Sequence, residues 1–554
     1  MAFWCRRAAT VSLAATLVAA GPAMLTACAG SAAGQIDYAV DGTLVSYNAN
    51  TVNGAASAAA QAFARTLTGF GYHGPDGQVV ADHDFGTVSV VGGAPLVLDY
   101  QIADNAVYSD GRPVTCDDLV LAWAAQSGRF PGFDAANRAG HIDIANVDCH
   151  PGQKKARVSF APDRNAVDYS QLFTATSLMP SHVIADELGV PEANVTAALQ
   201  TNNMPVVDRI AQVWNTTWDL KPGLDLRHFP SSGPYKIESV LQGGAVVLVA
   251  NDRWWGTKPV TRRVTVWPQE ADIQDRINNK SVDVVDVAAG SSGSLITPDT
   301  YQRTDSASGG IQQLIFSPLG PLSQTRARRA LAMCTPRDVI ARDAAVPIAN
   351  ARLHTATDDA LGEAESAAPA AAPFTRSSPD AARNELGGSP LPVRIGYRAP
   401  NARLAAIVGA IAKACAPAGI AVSDATAPAT GPQTLKGGQI DALLASTGGA
   451  TGSGSTGSSA MDGYDLFSGT GNNLSGYRNS QVDGIISAQA VSADPADLAR
   501  LLGDGAAVLW ADMPTLPLYR QQRTLVTSKK MYAVTSNPTR WGAGWNMDRW
   551  VLVR

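Results

Sequence analysis

Apolar and polar positions along this chain follow two periods. Thr87-Val88-Ser89-Val90-Val91, Pro95 to Tyr100, Ala245 to Ala250 and Val264 to Trp267 are short runs rich in β-branched and apolar residues, and predict strands. Asp117 to Gln126, Arg326 to Met333, Arg337 to Asp343, Ala402 to Cys415 and Asp494 to Trp510 predict helices. Several helix starts are readable. Thr115 with Asp118 three residues later forms a capping arrangement, Thr335-Pro336-Arg337-Asp338 repeats it, and Ser378-Pro379-Asp380 sets Pro just after a capping Ser. Strands alternating with helices indicate an α/β architecture. Thr355 to Ser377 and Thr447 to Ser459 are dominated by small residues and read as loops. The second contains Gly452-Ser453-Gly454-Ser455-Thr456-Gly457, a dinucleotide fingerprint by letter only. Its low-complexity surroundings predict no following helix, so no phosphate-binding helix N-terminus.

The first residues follow another logic. Arg6 and Arg7 precede the uncharged apolar run Ala8 to Ala20, and then comes Leu25-Thr26-Ala27-Cys28. A positive start, a short apolar stretch and small residues before a cut describe an export signal, and the run is too short to span a bilayer. The Cys after the cut resembles a bacterial lipobox. The expectation is cleavage after residue 27, lipid on Cys28, a tether over 28–35, and attachment to the outer face of the cytoplasmic membrane. Two acyl chains anchor stably where one does not. Export leaves Cys116, Cys149, Cys334 and Cys415 in an oxidising compartment, where three pairings are open. None has a Cys-x-x-Cys partner, so zinc or redox chemistry is not expected.

Composition narrows the function. Hydrophobic residues make up 45% and charged residues 16%, enough for a large core, and the net charge of −5 carries no basic patch for nucleic acid. There is no Gly-x-Ser-x-Gly elbow, no His-Glu-x-x-His and no Walker loop, so an enzyme is not expected. His73, His83, His141, His150, His182, His228 and His354 are scattered, with no pair at metal-ligand spacing, so neither metal nor cofactor is expected.

The run Tyr108-Ser109-Asp110-Gly111-Arg112-Pro113-Val114-Thr115-Cys116-Asp117-Asp118 resembles the signature of the extracytoplasmic solute-binding proteins of peptide and nickel ABC importers, family 5. Ser232-Gly233-Pro234-Tyr235, Asn251 to Pro259, Arg328 to Met333, Gly476 to Asp483 and Pro514 to Arg520 resemble further motifs of that family, in the right order. Read physically, these motifs are structural. Ser109-Asp110-Gly111 is a tight turn, Asp117 and Asp118 sit in a first helical turn where the dipole favours carboxylates, and Trp254 and Trp255 read as packing residues.

The resemblance implies a two-lobed periplasmic-binding-protein (Venus-flytrap) α/β fold of the large cluster, with an extra subdomain in the first lobe. It implies lobes at 36–268 plus 511–554 and at 269–510, with pairings Cys116–Cys149 and Cys334–Cys415, one per lobe. It implies a monomer that binds an oligopeptide-like solute and works with an ABC permease. A narrower likeness, carried by Cys116-Asp117-Asp118 and Val213 to Trp218, is to LpqW-like lipoproteins tied to mannolipid assembly in the cell envelope; that reading makes the ligand a glycolipid and the partner an envelope-biosynthesis membrane protein. One departure matters. Peptide-binding members hold the peptide ammonium with an Asp in a Trp-x-x-Asp stretch after a second-lobe strand. Here Ile440 to Ala445 runs into Ser446-Thr447-Gly448-Gly449 with neither residue, and Asp462 or Asp465 is left as a substitute. The expected cleft residues are Ser446, Thr447, Tyr464, Asp465, Phe467, Asn472 and Asn473, which offer hydroxyl, amide and ring contacts to a neutral ligand.

Overall fold

The computed structural model describes residues 34–553 apart from 167, 270, 271, 294, 354–356 and 453. The expected lipidation site, Cys28, lies outside the described residues. Every strand and helix named above forms, with no end moved by more than two residues. Asp118 accepts the Thr115 N–H (3.3 Å), which closes the predicted capping arrangement.

One ten-stranded mixed sheet runs through the molecule in the order Ile420–Asp424, Leu391–Gly396, Ala442–Ser446, Tyr301–Phe316, Thr515–Ser528, Val284–Ala288, Gln35–Val40, Arg263–Trp267, Val246–Ala250, Tyr235–Val240. Two large apolar cores sit at its two ends. The first gathers Tyr38, Phe63, Trp123, Trp214, Val264, Val284 and Trp550; the second gathers Leu314, Leu331, Val393, Ile411, Trp510 and Leu518. Large aliphatic and aromatic side chains fill both, and each one taken from water contributes roughly 1.5–3 kcal/mol. The long antiparallel pair Tyr301–Phe316 and Thr515–Ser528 crosses from one core to the other: Leu516 and Leu518 pack in the second, Leu525 in the first. This is the two-lobed binding-protein fold. The extra subdomain of the first lobe is a four-stranded antiparallel sheet, Gly86–Gly93, Leu96–Ile102, Lys155–Phe160 and Ile144–Cys149.

Both disulfides form as expected, with Cα–Cα separations of 5.7 Å for Cys116–Cys149 and 5.0 Å for Cys334–Cys415. Asp117 lies close to the first bridge, but sulfurs tied to each other are not available as metal ligands. Among the described residues no helix is long and apolar enough to cross a membrane.

One stretch expected as a loop is helical. Residues Thr357–Ala371 form a helix that carries Pro369 in its last turn and leans on helix Pro495–Asp512. Alanine is the best helix former, and Ala367 and Ala371 are buried in the second core. Burial and propensity together outweigh the one helical hydrogen bond that Pro369, which has no N–H, cannot donate.

Candidate functional site

Strand Ala442–Ser446 lies between Leu391–Gly396, parallel to it, and Tyr301–Phe316, antiparallel to it. Its end feeds the small-residue tract directly. The Ser446 N–H donates to the Ala450 carbonyl at 2.7 Å, which folds the chain back at once. Gly448 and Gly449 take positive φ (69° and 78°) to allow the turn. A Cβ on Gly454 would overlap the Thr447 carbonyl, so only glycine lets the tract cross itself there.

The tract is not a loose surface loop. Most of its described residues are buried, and they meet the first lobe. Thr451 Oγ1 donates to the Asp41 carbonyl (2.8 Å) and Ser458 Oγ to the Asp168 carboxylate. The segment that follows continues the seam: Asn472 N donates to the Ala136 carbonyl (2.8 Å), and Asn137 Nδ2 to the Met461 carbonyl (2.9 Å). The two lobes are therefore closed on each other through this tract. The fingerprint within it offers no phosphate cradle. A short helix, Ser459–Gly463, does follow, contrary to expectation, but the Thr456 N–H is already taken by Asp462 (2.9 Å), which also accepts from Ser455 Oγ (3.0 Å).

A small cavity of about 30 Å³, room for two or three waters, lies behind the tract, lined by Thr447, Gly448, Asp462, Asp465 and Asn472 together with Gln313 and Arg352. Asp465 accepts from Asn472 Nδ2 (3.1 Å) and Asn137 Nδ2 (3.4 Å). Burial and then the negative charge of Asp462 push the Asp465 carboxyl up to about 8, against the pull of these amides and of Arg540. It is thus protonated at neutral pH. Asn472 Oδ1 and Arg352 Nε and Nη1 have no hydrogen-bond partner among the described residues, so the cavity holds unused polar capacity.

A titration follows from Asp465. Its folded pKa is raised, so its stabilising effect is whole below the unfolded value near 4 and declines as pH rises toward 8, by up to about 1.4 kcal/mol per pH unit. Asp465→Asn keeps the neutral hydrogen-bonding shape. In urea unfolding, the variant is expected to gain on the wild type steadily from pH 6 to pH 8 and to match it near pH 4. A stability difference that does not vary with pH refutes a protonated Asp465.

The remaining candidates fall elsewhere. Ser446 lies at the sheet end, with Oγ donating to Gln521 Oε1 (2.9 Å). Asn473 is a turn former: Nδ2 donates to the Phe467 and Tyr477 carbonyls (3.0 and 2.7 Å). Tyr464 and Phe467 stack on each other at 5.0 Å between centroids and pack in a third apolar cluster, and neither lines the cavity. The structure thus brings Thr447, Asp465 and Asn472 together at one cavity and sets Ser446, Asn473, Tyr464 and Phe467 around it as supports. The first-lobe side of the seam, Asp41, Asn137 and Asp168, was not foreseen. A signal existed for the first of them: Asp41-Gly42-Thr43 directly follows strand Gln35–Val40, and crevices outside strand ends are where α/β sheets bind ligands.

The signature motif is structural, as its chemistry predicts. Gly111 takes φ +96° in its turn, and the Arg112 N–H donates to Asp110 (3.0 Å). Asp117 accepts from Gly152 N (2.7 Å), Thr115 Oγ1 (2.8 Å) and Thr196 Oγ1; Asp118 accepts from Tyr108 Oη (3.0 Å) and from Ser181 N and Oγ (2.8 and 2.7 Å). Both carboxylates are saturated with loop and helix partners. Trp254 is buried against Trp255, with ring centroids 4.5 Å apart.

The sequence profile of the bacterial extracellular solute-binding proteins, family 5 (middle), matches residues 94–465. The chain belongs to this family. It is 74% identical over 544 residues to the uncharacterized lipoprotein Rv2585c of Mycobacterium tuberculosis, covering 98% of this chain and 97% of that one. It is 25% identical over 208 residues, 37% of this chain and 27% of the other, to the probable monoacyl phosphatidylinositol tetramannoside-binding protein LpqW of M. tuberculosis. The structure of the oligopeptide-binding protein AppA of Bacillus subtilis, in complex with a nonapeptide, superposes with a TM-score of 0.72 at 14% identity, over 94% of this chain and 99% of that one.

Proposed function

We propose that this family 5 protein is a lipoprotein, anchored through Cys28 on the outer face of the cytoplasmic membrane, that captures an oligopeptide-like solute in neutral form between its lobes and delivers it to an ABC permease. The hinge in this reading is the crossing pair Tyr301–Phe316 and Thr515–Ser528, and closure brings the Ser446–Ser459 tract onto Asp41 and Asp168. The observation that carries the reading is the chemistry of the tract. Asp465 is protonated, and Asp462, the charged one of the two, is engaged by Ser455 Oγ and the Thr456 N–H of the tract rather than held out for an ammonium. A buried ammonium without one costs several kcal/mol.

Calorimetry against a tripeptide-to-pentapeptide library tests this. Unmodified peptides are expected to bind more weakly than micromolar, and N-acetylated ones at least as tightly. Submicromolar binding that requires a free N-terminus overturns the neutral-ligand reading. The absent ammonium partner together with the partial match to LpqW favours a second reading, an accessory of mannolipid assembly. Affinity capture from membranes separates the two, through a permease or a glycosyltransferase as the partner. The anchor has its own test. Cys28→Ala is expected to lose palmitate-analogue labelling and leave the membrane fraction, and a variant that stays membrane-bound alongside an unlabelled wild type refutes lipidation there.

A further inference from the structure

The four-stranded sheet of the first-lobe subdomain has one guarded edge and one bare edge. At the guarded edge, strand Ile144–Cys149 carries Asp148 and is tied to helix Cys116–Gln126 by the Cys116–Cys149 bridge. Four of its carbonyls accept from side chains: Ile144 from Trp123 Nε1 (3.3 Å), Ala145 from Arg129 Nη2 (3.2 Å), and Val147 and Cys149 from Gln200 Nε2 (3.3 and 3.1 Å). At the other edge, strand Gly86–Gly93 has neither a charged residue nor a proline, the features that commonly guard an edge. Among the described residues, 87–93 bond only to strand Leu96–Ile102, so the main-chain groups on the outer side have no protein partner.

The apolar face of the sheet runs out at this bare edge. One row of register partners crosses from Val147 through Val158 and Leu98 to Val90, another from Cys149 through Ala156 and Tyr100 to Val88. The inner members are at most 4% exposed, whereas Val90 is 53% and Val88 37% exposed. The opposite face is polar: Thr87 lies beside Gln101, and Ser89 beside Asp99, which pairs with Arg157 (2.7 Å) and Lys155 (3.1 Å). The strand that would complete this edge is thereby specified. It has apolar side chains at alternate positions, small polar ones between them, and no charge of its own. The same strand of a second copy fits that description. In an antiparallel pair about a two-fold axis through Ser89, Val88 of each chain meets Val90 of the other on the apolar face, and Ser89 meets Ser89 on the polar face. An axis through Val88 sets Val90 against Gly86, and an axis through Val90 sets Val88 against Gly92, so the Ser89 centre alone gives both valines a valine. An edge without charge meets its own copy without repulsion.

We propose that two copies of this protein pair along residues 87–91, joining two four-stranded sheets into one continuous sheet, a dimer where the family resemblance implies a monomer. The contact is isologous, one patch serving as its own complement. A single strand pair is smaller than a standard interface of about 800 Å² per partner, so the dimer is weak between free chains, and attachment of both to one membrane raises its occupancy. The pairing depends neither on which solute the tract selects nor on the anchor.

Oxidative cysteine cross-linking of the mature protein tests it, in host membranes and again with the purified chain at high concentration. Ser89→Cys is expected to give a disulfide-linked dimer, because directly opposed residues of an antiparallel pair have Cα atoms about 4.5–5.5 Å apart, within disulfide reach. Lys155→Cys, exposed on an inner strand of the same sheet, is the control and is expected to stay monomeric. Val88→Lys with Val90→Lys sets cation against cation across the axis and is expected to cut the Ser89→Cys dimer about ten-fold, while Val88→Lys with Val90→Glu sets opposite charges there and is expected to restore it. Every substituted side chain is exposed, and an unchanged melting temperature verifies that each variant folds. No dimer above the control in either preparation, a dimer undiminished by the paired lysines, or no recovery with Val90→Glu each overturns the pairing. None of these variants touches Cys28 or the tract, so the lipidation and peptide tests above stand or fall separately.

Discussion

Removing the Cys334–Cys415 bridge as Cys334→Ala/Cys415→Ala is expected to lower the unfolding free energy by roughly 4–5 kcal/mol in the chain-entropy account, because the bridge closes a loop of 81 residues. Cys116–Cys149 closes 33 residues, so its removal is expected to cost somewhat less. The location adds to the effect. Cys334 ends helix Thr325–Cys334 and Cys415 ends helix Ala402–Cys415, both sulfurs lie in the second core, and the helices pack there around Leu331 and Ile411. The bridge ties the two C-terminal ends together while their apolar faces hold the rest. Urea unfolding of the oxidised wild type against each double variant is the measurement. A loss below about 1 kcal/mol means the helix pair is held by packing alone and the bridge is dispensable.

What was legible in the chain depended on the range over which each residue finds its partner. The Tyr108–Asp118 turn and helix start could be read because its bonds are local: Asp110 holds Arg112, and Asp118 holds Thr115. The family resemblance rests on the same local chemistry, so the fold followed from it. The tract could not be read this way. Its Gly, Ser and Thr content is that of a flexible linker, and its order comes from Asp41, 410 residues away, and Asp168, 290 residues away. Composition is silent on such partners. Tyr464 and Phe467 carried the right chemistry for stacking, but they stack on each other and in the third apolar cluster. A ring near a presumed cleft satisfies the apolar interior as readily as a ligand. Helix Thr357–Ala371 is not legible because its alanines stand among Pro369 and neighbouring serines, and burial of Ala367 and Ala371, which decides its state, is a tertiary property.

The crossing strands hold the other large effect. Arg523 lies on crossing strand Thr515–Ser528 and Asp286 on the neighbouring strand Val284–Ala288, with Arg523 Nε donating to Asp286 Oδ1 at 2.9 Å and both side chains only 3% exposed. Asp286 Oδ2 accepts two further bonds, from Gln61 Nε2 (2.8 Å) and the Ala543 N–H (2.6 Å), so the carboxylate also ties these strands to helix Ala59–Phe63 and to the C-terminal segment. Arg523→Leu removes the cation and leaves the anion buried. The expected loss is about 3–5 kcal/mol, since an uncompensated interior charge costs more than the pair contributes. Asp286→Asn in the same background removes that charge and keeps an acceptor for Gln61 and Ala543, so the double variant is expected to regain at least half of the loss. Chemical denaturation of the two single variants and the double variant gives the coupling directly. If Arg523→Leu costs under 1 kcal/mol, or the second substitution makes matters worse, the pair is not what holds the crossing strands in register. The strand that carries Arg523 runs through both cores, and the pair lies on the part of it that follows the stretch between Tyr519 and Arg523, where its neighbour on one side changes from the 347–349 segment to Val284–Ala288.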